Sequence, residues 1–228
     1  MFNLMRLELM KFKMWPVIRG ALIAICVLSI FIPLALWDDK AGMNGYNQAF
    51  AIIDTFSRAV FIIFGASLIS KFIIQEFQEK TMTLLFMYPI NRKKIMFAKI
   101  CIIIFFTFCF ILISDIIIFS VVYVFNLYHP IITGTLTVSI LSQNALKLFM
   151  NALAATGISL IPIYFGMKKY SVRTTIVSAI VVVALLSSGG GTEGTMFNFI
   201  AIPIILACTG LFISYMTVRK IEQVDLFK

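Results

Sequence analysis

The sequence predicts an all-α integral membrane protein, and three observations predict it. Hydrophobic residues make up 61% of the 228 residues and charged residues only 13%, against about 45–50% and about 25% in soluble domains. Six apolar stretches approach the ~20 residues that a spanning helix needs. The basic residues fall in every second connection. A chain this apolar, with 23 phenylalanines, has too little polar surface to cover a water-soluble core. Soluble enzymes and disordered tails are excluded.

The spans are read as 17–37, 49–70, 98–125, 146–165, 172–186 and 196–218. The third is long enough to tilt or project beyond the bilayer, and the fifth is short. None shows the period-2 alternation of a transmembrane barrel, so the spans form a helix bundle. The first follows Arg6, Lys11 and Lys13, as a signal peptide would. Its length, and the lack of a small-x-small cleavage site after it, mark a retained anchor.

Orientation follows from Lys and Arg placement. The N-terminal segment carries Arg6, Lys11 and Lys13; the second-to-third connection Lys71, Lys80, Arg92, Lys93, Lys94 and Lys99. The fourth-to-fifth connection carries Lys168, Lys169 and Arg173; the tail Arg219, Lys220 and Lys228. The other three connections hold only Lys40. Both termini are therefore expected in the cytoplasm, with the chain multi-pass in the membrane. The net charge of +9 is a topology signal, and no nucleic-acid partner is expected. The chain reads as one domain, 1–228.

Several chemistries fail on residue type. Cys26, Cys101, Cys109 and Cys208 lie in apolar runs without metal-ligand spacing and are read as small core residues. The Gly-rich run 189–194, GGGTEG, is followed by Thr195 rather than by Lys-Ser/Thr, so it is no P-loop. A serine protease needs a base beside Ser67, and the single histidine, His129, falls in an external loop. An aspartyl protease would use Asp54 and Asp115, but Gly-x-Gly-Asp is absent. Ser67 is read as a packing residue. No span shows a ring-forming polar repeat or a channel filter.

Polar residues inside the spans are costly and so informative. Asp54 and Arg58 are four apart and share a face of the second span. Asp115 on the third span falls at a similar depth. Arg58 can pair with either carboxylate, and an ion-pair network is expected, with lining of a substrate path or a proton relay as the alternatives. On the fourth span Gln143, Lys147 and Asn151 follow at i, i+4 and i+8; they either mark the outer interface or line an outward cavity. Ala152, Ala155, Thr156 and Ser159 form a small-residue stripe for close packing, within the chain or across a dimer.

The second-to-third connection, within 71–97, begins as a polar extension with Gln75, Glu76, Gln78, Glu79 and Lys80. It turns apolar from Thr81 to Tyr88, with Leu84 and Leu85 at its centre. Pro89 disfavours helix at Tyr88. Asn91 can cap the next helix, and Arg92, Lys93 and Lys94 anchor its end at the headgroups. An apolar element this short cannot span. It lies in the interface or fills a groove on a partner.

These residues resemble the permease subunits of ABC-2-type ABC transporters, in particular the small six-span bacterial ones. That family carries Glu-x-x-x-Gly-Thr, an apolar run, Pro-x-x-Arg and a Lys opening the third span. The matching positions are Glu76, Thr81, Pro89, Arg92 and Lys99, with Lys80 where the family usually has Gly. The opening MFNLMRLELMKFK and the tail RKIEQVDLFK are similar too. The resemblance implies an interfacial N-terminal helix over 1–16 and a cytoplasmic coupling helix. It implies coupling roles for Glu76, Glu79, Thr81, Leu84, Leu85, Pro89 and Arg92. It implies docking on two separate ATPase subunits, which would bind ATP and magnesium, so this chain would carry neither catalytic residue nor cofactor. A second permease copy or paralogue would complete the path. The substrate would be hydrophobic or amphipathic, such as an antimicrobial or cytolytic peptide, moved outward. The competing reading is a non-transporting scaffold or regulatory subunit.

Overall fold

The computed structural model describes residues 15–38, 45–79, 92–129, 132, 137–187 and 201–220. The expected interfacial helix before Trp15, the apolar run Thr81–Tyr88, the Gly-rich turn and the tail lie outside these residues. The side chains at 38, 92, 93, 201–203 and 220 do so as well.

The described elements are α1 (Trp15–Asp38), α2 (Tyr46–Ile69), a π-helical turn (Ser70–Ile74), α3 (Gln75–Gln78) and α4 (Arg92–Tyr128). They continue with α5 (Val138–Ile158), α6 (Pro162–Lys169), α7 (Val172–Ser187) and α8 (Ala201–Lys220). Trp15–Trp37, Tyr46–Gln78, Lys94–Tyr128 and Val138–Lys169 are each long and apolar enough to cross a bilayer. Val172–Ser187 and Ile204–Arg219 are shorter apolar helices. The protein is an all-α, multi-pass membrane protein.

α1 shows how such a helix packs. Val17, Ala21, Ile25, Leu28, Ile32 and Leu36 are buried at spacings of three and four, one face of a 3.6-residue helix. Leu22, Ile23, Val27, Ile30, Phe31 and Leu34 are exposed on the remaining circumference. In water that surface would be untenable; in a bilayer it is the lipid-facing side.

α2 is the central helix, in contact with α1, α4, α5 and α7. The core forms two apolar clusters. One contains Phe61, Ile62, Phe110, Ile111, Ala152 and Ala155; the other contains Leu28, Ile32, Phe50, Ile53, Ile118 and Val122. Lipid tails are as apolar as leucine, so association rests on packing rather than on hydrophobic burial. Stacked rings such as Phe50 on Phe119, 4.6 Å apart, and close backbone approach supply it.

The small-residue stripe is consumed inside the chain. Ala152, Ala155, Thr156 and Ser159 are buried. A Cβ on Gly65 of α2 would stand 2.9 Å from Ser159 Cβ. Where α5 crosses α8, a Cβ on Gly210 would fall 2.0 Å from the Gly157 carbonyl oxygen. Only glycine permits that approach.

Three expectations require correction. The fourth span is not one helix. It runs from Val138, breaks over Ser159–Ile161 in a tight turn, and restarts at Pro162, whose missing N–H is no loss at the first turn of a helix. The cysteines are not core residues: Cys26 and Cys208 are exposed and Cys101 and Cys109 half-buried. A thiol meets no penalty against lipid, so the core need not take it. Ser67 likewise lies exposed rather than packed.

Candidate functional site

Two polar assemblies interrupt this apolar molecule. The first is a layer between the two apolar clusters. α2 contributes Asp54, Ser57 and Arg58, all on its buried face. α4 contributes Ser114 and Asp115, and α5 contributes Asn151. Arg58 Nη2 pairs with Asp54 Oδ2 at 3.2 Å. Asn151 Nδ2 donates to the same oxygen at 2.9 Å. The hydroxyls of Ser57 and Ser114 meet at 3.1 Å. Asp115 is 3% exposed and lies within electrostatic reach of both Asp54 and Arg58. The network expected from the i, i+4 spacing is present, with Asp54 as the carboxylate that Arg58 engages.

The row on α5 divides. Asn151 turns inward to Asp54, whereas Gln143 and Lys147 remain on the exposed face. Beside Gln143, Asn144 is the buried residue, donating to Asn47 Oδ1 at 2.7 Å. Arg58 also borders a shallow cleft between α2 and α7, together with Thr55, Val183 and Ser187. His129 meets Trp37 edge to face, with ring centroids 4.6 Å apart, at the end of α4 remote from Ser67. Among the described residues no His, Cys, Asp and Glu cluster could hold a metal ion.

The second assembly lies where α2 and α4 reach the connection over 80–91. Lys99 Nζ is 1% exposed; it pairs with Glu76 Oε2 and donates to the Phe72 carbonyl at 3.0 Å. Phe72 belongs to the π turn. Gln78 Nε2 donates to the Tyr170 carbonyl at 2.6 Å, and the Phe77 ring lies 5.8 Å from that of Tyr170. Tyr170 caps α6 in the left-handed region, with φ 44 and ψ 42. A bulky residue seldom adopts that conformation. The exit from α3 therefore rests on the turn between α6 and α7.

Of the residues assigned coupling roles, Glu76 and Glu79 are described in full. Glu76 is buried, and Glu79 is exposed and accepts from Gln75 Nε2 at 2.8 Å. Thr81, Leu84, Leu85 and Pro89 lie outside the described residues, and Arg92 is described only as the first residue of α4. Sequence reasoning missed the burial of Lys99, which it counted among the basic residues of the second-to-third connection and matched to the lysine that opens the third span. Spacing held a signal: a lysine seven residues into a helix no longer borders its end.

The family model described as "ABC-2 family transporter protein" matches residues 4–185. An uncharacterized protein of Bacillus subtilis (strain 168), YcbO, is 44% identical over 227 residues, covering 98% of this chain and 99% of its own length. No solved structure matches.

Proposed function

Because the chain belongs to the ABC-2 family of transporter proteins, we propose that it is the membrane-spanning permease subunit of an ATP-driven exporter. It crosses the membrane six times, with both termini and the connection over 80–91 in the cytoplasm. Two ATPase subunits dock on that connection in a pair of permeases. ATP and magnesium bind on them. The cargo is hydrophobic or amphipathic, an antimicrobial or cytolytic peptide being the class that fits, and it leaves the cell or the membrane.

One observation carries the reading. The connection leaves α3 and enters α4 at one point on one end of the bundle, and its two roots are tied by the Glu76–Lys99 pair. An apolar run flanked by charges, in a connection that leaves and re-enters the bundle at that end, suits docking of a partner. Basic residues gather at the same end, with Lys71, Lys94, Lys168, Lys169 and Arg173 exposed. This is the pattern of a cytoplasmic face.

The test is purification of the tagged chain from its native host in mild detergent, with mass spectrometry of what accompanies it. A stoichiometric companion carrying Gly-x-x-x-x-Gly-Lys-Ser/Thr is expected, and its ATP hydrolysis should respond to this chain. Companions that bind no nucleotide would sink the reading in favour of a scaffold subunit.

A further inference from the structure

A lysine near the end of a membrane helix normally extends to the headgroups, because its long stem lets the ammonium reach water. Lys99 lies deeper than such lysines. It sits one to two turns into α4, and Lys94, five residues earlier, is exposed. Lys99 instead turns inward and is 1% exposed, its ammonium against Glu76 and the Phe72 carbonyl. Glu76 is 6% exposed. A buried ion pair is weak support for stability, since apolar residues of similar volume often do as well. Its presence points to another role.

Its surroundings supply one. The pair bridges the last turn of the second membrane crossing to the first turns of the third. It seats on the π turn Ser70–Ile74, closed by the Gln75 N–H to the Ser70 carbonyl. A π turn holds one residue more than an α turn. Converting it to α passes that residue along the helix and rotates everything beyond it by about 100°. Everything beyond it here is α3 and the connection. Coupling between distant sites requires an element with two discrete arrangements, and interchange of a π turn with an α turn is a change of that kind. Lys99 donates to a carbonyl inside that turn and so holds one arrangement. On its far side the turn is confined by Gly166. A Cβ there would stand 2.9 Å from Ile74 Cδ1 and 2.3 Å from Thr175 Oγ1.

We propose that Glu76 and Lys99 are positioning residues which clamp the π turn of the second membrane crossing and carry movement of α3 into the bundle. Glu76 acts inside the protein and does not contact the ATPase. The proposal rests on the permease reading above.

The test is the double variant Glu76→Gln/Lys99→Met. It removes both charges at nearly constant volume, leaves no lone buried charge, and so should fold. Wild type and variant are each co-purified with the ATPase and reconstituted into phospholipid vesicles. ATP hydrolysis, transport of a fluorescent amphipathic peptide and ATPase stoichiometry are measured. The variant should retain the ATPase at wild-type stoichiometry and continue to hydrolyse ATP. Peptide moved per ATP should fall several-fold. A variant that moves as much peptide per ATP as the wild type overturns the clamp. So does loss of the ATPase from the complex, which would make the pair a docking contact. Failure of the wild type itself to hold an ATPase strikes the permease reading instead. Hydrogen exchange keeps the clamp testable if the double variant does not fold. In the wild-type complex, amides 70–78 should change protection on nucleotide binding together with those near Lys99. A π turn unmoved by nucleotide overturns the proposal.

Discussion

Within the apolar layers single residues carry unequal weight, and burial decides which. Arg58 is 4% exposed and holds Asp54 at 3.2 Å. Arg58→Ala leaves that carboxylate buried without its cation, at a cost of about 3–5 kcal/mol. Lys147 is exposed on α5, and Lys147→Ala should stay within about 0.5 kcal/mol. Thermal melts in detergent should show a large drop for Arg58→Ala and almost none for Lys147→Ala. Equal melting would mean that the layer is not an ion-pair network. This part of the site was legible in part, because charge in a membrane span must find a partner, though the sequence left both Asp54 and Asp115 open to Arg58. Ser57, Ser114 and Asn144 were not. A hydroxyl or amide in a span is tolerated on many faces, and only the fold shows which neighbour it meets.

At the scale of helices, the crossing of α5 and α8 is set by Gly157 and Gly210. Gly210→Ala places a methyl 2.0 Å from a backbone carbonyl oxygen, which cannot swing aside as a side chain would. The two helices must part, and overpacking of that kind costs about 1–3 kcal/mol. Gly20→Ala is the control, since its Cβ would meet only Phe64 Cε2 at 3.7 Å. Alanine should there be neutral or slightly stabilising through helix propensity. A melting temperature lowered by Gly210→Ala but not by Gly20→Ala is expected. Equal behaviour would remove the close crossing as a source of stability. Helix number, order and approximate bounds were legible from hydropathy, because the bilayer sets helix length. The break at Ser159–Ile161 and the π turn were not. Both preserve the apolar run and change only the hydrogen-bond pattern inside it, to which hydropathy is blind. Pro162 was the one local sign of the first. Nothing in Ser70–Ile74, SKFII, announces the second.

For the whole molecule, every functional inference depends on which end of the bundle faces the cytoplasm. The end bearing Glu76, Lys99 and Tyr170 also exposes Lys71, Lys94, Lys168, Lys169 and Arg173. The opposite end presents neutral contacts, such as Asn126 with Tyr46 at 3.2 Å and Asn144 with Asn47 at 2.7 Å. Basic residues resist translocation, so the first end should lie inside, where ATP is. Single-cysteine labelling in intact cells reads this directly, in a background with Cys26, Cys101, Cys109 and Cys208 replaced. Val138→Cys, at the exposed start of α5, should react with a membrane-impermeant maleimide from outside. Lys169→Cys, at the exposed end of α6, should react only after the membrane is permeabilised. The reverse pattern would place the Glu76–Lys99 clamp on the outer face, beyond reach of any ATPase. The permease mechanism and the clamp would then fall together, while the charged layer around Arg58, which depends on neither orientation nor partner, would stand.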